Sequence, residues 1–103
     1  MTEFEVKITD ENYEEVVSGA DKPVLIDFYA DWCGPCRMLS PIVSQIAEER
    51  DDIIVGKVNV DENPLLSAKF GIVSIPMLAV VKDGEITAKN IGYCDKETIE
   101  GML

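Results

Sequence analysis

Residues 24–36 have the sequence Val24-Leu25-Ile26-Asp27-Phe28-Tyr29-Ala30-Asp31-Trp32-Cys33-Gly34-Pro35-Cys36, and this stretch decides how the chain folds. Its first six residues are almost all apolar, which is typical of a strand buried on both faces of a sheet. A helical pattern follows the two cysteines, so the Cys-x-x-Cys pair lies where a strand turns into a helix. A cysteine pair in that position, close enough to form a disulfide, indicates redox chemistry.

The positions of the two cysteines predict different roles for them. Cys33 stands at the helix start, where unpaired N–H groups and the helix dipole stabilise a thiolate by about 0.3–1 kcal/mol, or about 2 kcal/mol when partly buried. Since about 1.4 kcal/mol corresponds to one pKa unit, the helix can lower the pKa of Cys33 by roughly one unit. Cys36 is expected one turn deeper, where burial keeps its thiol protonated. We predict that Cys33 is the nucleophile and Cys36 the resolving thiol of disulfide exchange.

The other three residues of the pentapeptide 32–36 also have predicted roles. Pro35 fixes φ and is tolerated in the first turn of a helix, so it stiffens the ring that Cys33, Gly34 and Cys36 form with it. Trp32 offers a flat apolar surface to a protein client.

A zinc site and a purely structural disulfide are the two other interpretations of the cysteine pair. A zinc site needs about four ligands, whereas this chain has no His and only one further cysteine, Cys94. A purely structural disulfide is possible, but a bridge between residues three apart removes little entropy from the unfolded chain.

The composition limits the partners and the compartment. The net charge is −11, and Lys and Arg are not clustered, so nucleic acid and anionic membranes are poor partners. The charge favours a soluble monomer, and no apolar run approaches the ~18 residues of a membrane span. The acidic N-terminus is unlike a signal peptide, and three cysteines are too few for a disulfide-built secreted fold. We expect one domain, residues 1–103, in the reducing cytoplasm and without metal or cofactor.

Hydrophobic periodicity predicts nine elements in the order β-α-β-α-β-α-β-β-α. Helices between the early strands imply parallel pairing, and the Asp83-Gly84 turn implies a late antiparallel hairpin. The predicted fold is therefore α/β with three layers, a mixed sheet of about five strands flanked by four helices. Asp95 is the expected cap of the last helix. The predicted strands cover residues 4–8, 24–29, 53–60, 77–81 and 85–91, and the predicted helices cover residues 9–19, 33–49, 63–71 and 95–103.

Residues 4–8 alternate between apolar and polar side chains, which predicts a half-buried strand with Phe4, Val6 and Ile8 toward the core. Thr9-Asp10 follows, and we expect it to cap the first helix.

Several motifs, taken together, resemble the thioredoxin family. The resemblance extends from Phe4 to Leu103 in order and without large insertions, and Trp-Cys-Gly-Pro-Cys is specific for reducing thioredoxins. It is carried by residues 27–38 with Pro41, Asn59-Val60-Asp61-Glu62-Asn63-Pro64, Ile75-Pro76 and Gly92. It implies the thioredoxin fold and a protein dithiol that reduces disulfides in client proteins and is re-reduced by a thioredoxin reductase.

Asp27 and Lys57 are charged residues within strands that are otherwise predicted to be buried. A buried carboxylate costs free energy unless it is paired or protonated, so we expect a raised pKa for Asp27, unless the sheet is open to solvent there. The resemblance implies that Asp27 helps to deprotonate Cys36 and that Lys57 pairs with Asp27. Lys57 could instead extend to solvent at the edge of the sheet.

The resemblance also predicts how a client docks. Cis bonds are a minority even before proline, but the family pattern makes Ile75-Pro76 cis and places it against the two cysteines. The backbone of Ile75 would then pair with an extended client segment, and Gly92 would let that segment approach. Without the resemblance, Gly92 is equally an ordinary loop glycine.

Three residues depart from the family pattern. Met77 and Val81 replace other common residues and are expected in the core. Cys94 is expected as a small apolar residue near the last helix, since free cysteines are usually buried, with a regulatory thiol at the rim of the client groove as the alternative.

Two other functions compete with a general disulfide reductase. One is a dedicated redox partner of a single enzyme, or an oxidase- or isomerase-like relative, although Gly-Pro between the cysteines favours a reductant. The other is a binding or scaffold subunit in which redox turnover is incidental.

Overall fold

Five strands form the centre of the fold in the computed structural model, which describes residues 1–103. They are β1 (Glu5–Lys7), β2 (Val24–Tyr29), β3 (Ile54–Asn59), β4 (Met77–Lys82) and β5 (Glu85–Ile91). Their order across the sheet is β1-β3-β2-β4-β5. β1, β3 and β2 run parallel, whereas β4 is antiparallel to β2 and β5 to β4. The predicted mixed sheet with a late hairpin is confirmed.

Four helical segments cover the sheet, as predicted. They are α1 (Glu14–Ser18), a single turn of π-helix, α2 (Gly34–Glu49), α3 (Pro64–Lys69) and α4 (Lys96–Met102). α1 and α3 pack on one face of the sheet, and α2 and α4 pack on the other. None of the helices is both long enough and apolar enough to span a membrane.

The face beneath α1 and α3, here called the apolar face, is filled by aromatic and aliphatic side chains. The ring centroids of Phe28 and Phe70 lie 4.9 Å apart, and Tyr13 meets Phe70 edge to face at 5.9 Å. Met77 and Val81 are buried here, which confirms their predicted place in the core. The other buried members of this cluster are Ile8, Val17, Val24, Ile26, Val58, Leu66 and Ala79.

The opposite face, here called the α2 face, is apolar only in part. Leu25 of β2 packs there in a cluster with α2 and α4 that includes Val43 and Ile99. Two residues further along β2, the same face carries Asp27, which is in register with Lys57 of β3, because side chains alternate along a strand. The α2 face therefore holds buried charged groups within an otherwise apolar layer.

The exposure of β1 differs from the prediction. Phe4 and Val6 are 49% and 37% exposed, whereas Glu5 is only 7% exposed, and Ile8 alone of the expected apolar set is buried. Ser44 Oγ of α2 donates a hydrogen bond to Glu5 Oε1 at 2.7 Å. β1 is an edge strand, and its alternating pattern shows which side chains share a face but not which face is covered.

Thr9 and Asp10 make separate sets of hydrogen bonds, and α1 has no side-chain cap. The Thr9 N–H donates to Asn12 Oδ1 (2.8 Å) and the Asn12 N–H donates to Thr9 Oγ1 (3.2 Å) just before α1. Asp10 instead accepts hydrogen bonds from the N–H groups of Leu65 and Leu66 at the start of α3, at 3.2 and 2.9 Å. The prediction that Thr9-Asp10 caps the first helix is therefore wrong, because no side chain caps α1 and the Asp10 carboxylate caps α3.

The turn of the β4–β5 hairpin and the cap of the last helix are as predicted. Asp83 and Gly84 have φ values of 53° and 79°, and a tight two-residue hairpin turn requires such positive values. Asp95 accepts a hydrogen bond from the Thr98 N–H at 2.9 Å, so it caps α4.

Candidate active site

The topology brings separate segments of the chain to one end of the sheet. β2 leads into α2 at its carboxyl end, next to the end of the parallel strand β3. β4 is antiparallel to β2, so Met77 at its start pairs with Phe28 near the end of β2. The turn that carries Cys33 therefore faces Ile75 and Pro76, which immediately precede β4.

Cys33 and Cys36 are joined by a disulfide at this turn. Cys33 is the N-cap of α2, and its Sγ accepts a hydrogen bond from the Cys36 N–H at 3.2 Å, so the predicted helix start is confirmed. Gly34 and Pro35 form the first turn, where the missing N–H of proline costs nothing. The expected difference in depth is absent, since Cys33 is 4% exposed and Cys36 is 3% exposed. The surroundings of the two sulfurs, rather than their burial, distinguish them.

Cys33 faces the segment that the resemblance assigned to client docking. The Ile75-Pro76 peptide bond is cis, as expected, and the Ile75 carbonyl oxygen lies 3.9 Å from Cys33 Sγ. The Gly92 N–H donates to the Pro76 carbonyl at 2.8 Å. Gly92 has φ +95°, and no atom lies within 4 Å of the place where a side chain would begin. The backbone conformation therefore favours glycine at this position, and the space above it is open.

Trp32 forms the outer wall of the same region. It is 69% exposed, and its Nε1 donates to Asp61 Oδ2 at 2.9 Å, which fixes the indole beside the turn. A shallow groove runs between Trp32 and Ile75, and its other lining residues are Val60, Ser67, Ile72, Val73 and Ser74.

Asp27 is a buried carboxylate with little to stabilise its charge. It is 1% exposed, and the Lys57 Nζ lies 3.6 Å from its Oδ2, at ion-pair distance but beyond hydrogen-bond distance. Neither carboxylate oxygen has a hydrogen-bond partner in the protein. Burial raises the pKa of Asp27 to about 6 against the opposing effect of Lys57, and the charge of Glu5 adds to the rise. The raised pKa is confirmed, and the alternative of a solvated Asp27 is wrong.

Lys57 is buried as well, at 6% exposure, so it does not extend to solvent at the sheet edge. Its Nζ donates a 2.7 Å hydrogen bond to Ser40 Oγ and lies 4.9 Å from the centre of the Tyr29 ring. Ser40 is not among the site residues that the sequence predicts. The signal was its position four residues after Cys36, which places both on one side of α2.

A cavity of about 280 Å³ opens beside this ion pair. Cys36, Ser40 and Lys57 contribute to its wall, whereas Cys33 faces Ile75. The two sulfurs therefore lie against different surroundings, the Ile75-Pro76 segment for Cys33 and a charged cavity for Cys36. The remaining lining residues of the cavity are Met1, Tyr29, Ala30, Asp31 and Arg37.

Cys94 is half-buried and packs against the cluster on the α2 face. Burial, with a smaller effect from the neighbouring Asp95 carboxylate, raises the pKa of its thiol. Both observations agree with a small apolar residue near α4, as expected, because a protonated thiol is a poor nucleophile.

Comparison with known proteins gives one family over nearly the whole chain. The thioredoxin family model matches residues 4–103. The thioredoxin of Alicyclobacillus acidocaldarius subsp. acidocaldarius is 48% identical over 97 residues, which cover 93% of this chain and 91% of that protein. The thioredoxin of Porphyra purpurea is 48% identical over 98 residues (94% and 92%), and that of Pseudomonas aeruginosa is 38% identical over 104 residues (100% and 96%). The chain belongs to the thioredoxin family.

Membership of the thioredoxin family, with Cys33 bonded to Cys36 at the helix start, makes the chain a thiol–disulfide oxidoreductase with protein-disulfide reductase activity. Thioredoxins carry this chemistry on their cysteine pair and need no cofactor. No group of three or more His, Cys, Asp or Glu side chains is arranged to hold a metal ion. A scaffold role with incidental redox turnover is not favoured. The family implies reductases and disulfide-containing clients, in general terms, as partners.

Proposed function

We propose that Cys33 attacks the disulfide of a client protein and that Cys36 releases the client. The observation that carries this assignment is the different setting of the two sulfurs. Cys33 Sγ accepts a backbone N–H at the start of α2 and faces Ile75. Cys36 lies in the cavity wall with Lys57, the ion-pair partner of Asp27.

In the first step, the Cys33 thiolate attacks one sulfur of the client disulfide. The client S–S bond breaks, a bond forms between Cys33 and that sulfur, and the other client sulfur leaves as a thiolate that takes a proton from water. The N-terminal end of α2 supports this step, because its N–H groups and dipole favour negative charge on Cys33.

In the second step, Cys36 gives its proton to the Asp27 carboxylate and attacks Cys33 Sγ as a thiolate. The Cys33–Cys36 bond forms, the mixed disulfide breaks, and the client leaves with its second thiolate. A pKa of about 6 suits Asp27 to this task, because most of the group is ionised at pH 7 yet remains basic enough to accept a proton. Lys57 keeps the ionised form accessible despite the burial.

The proposed client site is the groove between Trp32 and Ile75, with Gly34, Pro35, Pro76 and Gly92 around it. The cis bond leaves the Ile75 backbone beside Cys33, where an extended client segment can pair with it. The open space at Gly92 supports the approach of that segment.

The wider setting is part of the same proposal. Residues 1–103 form one domain that acts as a monomer in the cytoplasm and carries electron pairs from a thioredoxin reductase to its clients. The net charge of −11 supports a monomer that does not bind nucleic acid or anionic membranes. The pair Cys33–Cys36 is the only redox group that this cycle needs.

Trapping tests the assignment of the two cysteines. Reduced Cys36→Ser, mixed with a purified protein that contains one disulfide, should form a stable one-to-one adduct through Cys33, measured by non-reducing electrophoresis and mass spectrometry. Cys33→Ser should form none, and Cys94→Ser should reduce the client at the wild-type rate. Equal adducts from Cys33→Ser and Cys36→Ser would contradict the assigned roles.

A further inference from the structure

The ammonium group of Lys57 has two potential acceptors and makes its short contact with the neutral one. Its Nζ lies 2.7 Å from Ser40 Oγ and 3.6 Å from Asp27 Oδ2. Asp27 is left with both oxygens buried and without a hydrogen bond from the protein. A charged acceptor forms the stronger hydrogen bond when the geometry allows it, yet the short contact here is with the Ser40 hydroxyl.

We infer that Ser40 is a positioning residue, whose hydroxyl holds the Lys57 ammonium at ion-pair distance from Asp27 and prevents a direct hydrogen bond between them. Ser40 lies in α2, one turn after Cys36. Lys57 on β3 and Asp27 on β2 face each other. The helix therefore sets the geometry of an ion pair that the two strands contain.

The consequence for Asp27 follows from the groups that face it. Lys57 on β3 favours its ionised form, and Glu5 on β1 disfavours it. Tyr29, two residues along β2, is raised in pKa chiefly by burial, with a smaller effect of Asp27. A hydrogen bond to the ionised form lowers the pKa of a carboxyl group. By holding the ammonium 3.6 Å from Asp27, Ser40 limits how far Lys57 lowers this pKa and keeps Asp27 able to take up a proton near neutral pH.

The value of this arrangement for catalysis rests on the proposed function, in which Asp27 accepts the Cys36 proton. The geometric inference itself does not rest on that function. It concerns the position of the ammonium in the oxidised protein, where neither Cys33 nor Cys36 titrates, and it can be tested there without turnover.

The test is an NMR titration of the Asp27 side-chain carboxyl carbon in oxidised wild type and Ser40→Ala. In the variant, the ammonium loses its serine acceptor and moves to Asp27 Oδ2, so the pKa of Asp27 should fall by about one unit, a tenfold loss of proton affinity. An unchanged or increased pKa would overturn the inference.

Two matched variants separate the hydroxyl from other effects of substitution. Ser40→Thr keeps the hydroxyl and should retain the wild-type titration of Asp27. Ser67→Ala removes a serine hydroxyl of α3, on the other side of the sheet, where it donates to the Asn63 carbonyl, and should also leave that titration unchanged. A shift in either variant as large as that of Ser40→Ala would overturn the role of the Ser40 hydroxyl.

The pH profile of client release then connects the inference to the reaction. Release of a preformed mixed disulfide should become faster as Asp27 ionises, and in Ser40→Ala this rise should move about one unit toward lower pH. The pH profile of release should not shift between Asp27→Asn and the double variant that combines Asp27→Asn with Ser40→Ala. If the NMR titration shifts and the release profile does not, Ser40 positions Lys57 as inferred, but the proposed role of Asp27 as proton acceptor is wrong.

Discussion

The two faces of the sheet differ in what they bury. On the apolar face, Phe28, Phe70 and Tyr13 pack ring against ring beneath α1 and α3, and no charged side chain is buried among them. On the α2 face, Asp27 and Lys57 lie within the buried layer itself. Both faces belong to the same strands, since Asp27 and Phe28 are neighbours in β2.

The difference shows how adjacent residues of one strand can serve opposite purposes. Burial of Phe28 contributes about 1.5–3 kcal/mol to folding. Burial of Asp27 in its ionised form costs free energy, as its raised pKa shows. The period of two along a strand keeps these effects on separate faces, so the fold can bury a carboxylate on one face without opening the apolar face to water.

Phe28→Ala should have the largest effect on stability, because it breaks the apolar face at its centre. Phe28 is fully buried against Phe70, so truncation should lower the free energy of unfolding by about 3–5 kcal/mol. Urea denaturation followed by circular dichroism measures this loss. Phe28→Leu keeps most of the volume and should lose less than about 1.5 kcal/mol, and equal losses for both variants would contradict tight packing here.

Asp27→Asn tests the α2 face, where burial of an ionised group costs free energy. The folded protein binds the Asp27 proton more tightly than the unfolded chain, since the pKa rises from 3.8 to about 6. The contribution of Asp27 to wild-type stability should therefore decrease as the pH rises from about 4 through 6 and then level off, by about 3 kcal/mol in all. Asparagine does not titrate, so the variant should lack this decrease.

The measurement for Asp27→Asn is urea unfolding of the oxidised proteins at pH 4 and pH 7.5. The stability of the variant relative to wild type should increase by about 2.5 kcal/mol between the two pH values, since a small part of the effect lies below pH 4. Asp21→Asn, the same change at an exposed position, controls for the loss of one negative charge. If the stability difference between Asp27→Asn and wild type did not change with pH, burial would not raise the pKa of Asp27.

The smallest effects are expected when a helix cap is removed from either face of the sheet. Asp10 accepts two backbone N–H groups at the start of α3, over the apolar face, and Asp95 accepts one at the start of α4, over the α2 face. Each change to alanine should cost about 1 kcal/mol, with Asp10→Ala the larger. Thermal unfolding measures both, with the exposed Glu11→Ala as control. A greater loss of stability from Asp95→Ala than from Asp10→Ala would contradict the expected order of the two caps.

Much of the fold followed from local pattern. The apolar run of β2 was predicted to its end residues, and the pentapeptide fixed the start of α2. An acid in that run was unusual enough to predict the burial and the raised pKa of Asp27. The cis bond before Pro76 came from the family resemblance, because sequence propensity alone favours trans.

The errors and omissions involve contacts between distant residues. Glu5 is buried because Ser44 of α2 supplies a hydrogen-bond donor, and Asp10 caps a helix that begins more than fifty residues later. Ser40 is a common residue on a polar part of a helix until Lys57 is placed beside it. Local periodicity carries no information about such partners, so the second layer of the site required the structure.

The antiparallel placement of β4 has a consequence for the order in which the protein is made. Ile75 follows Cys33 by 42 residues, and it reaches the cysteines only after β4 has paired with β2. A growing chain on the ribosome that ends at Gly71 already contains both cysteines and all of α2, but neither the docking segment nor the strand that positions it. The thiols therefore exist before the site does, and only the finished sheet gives them the surface on which we propose that a client docks.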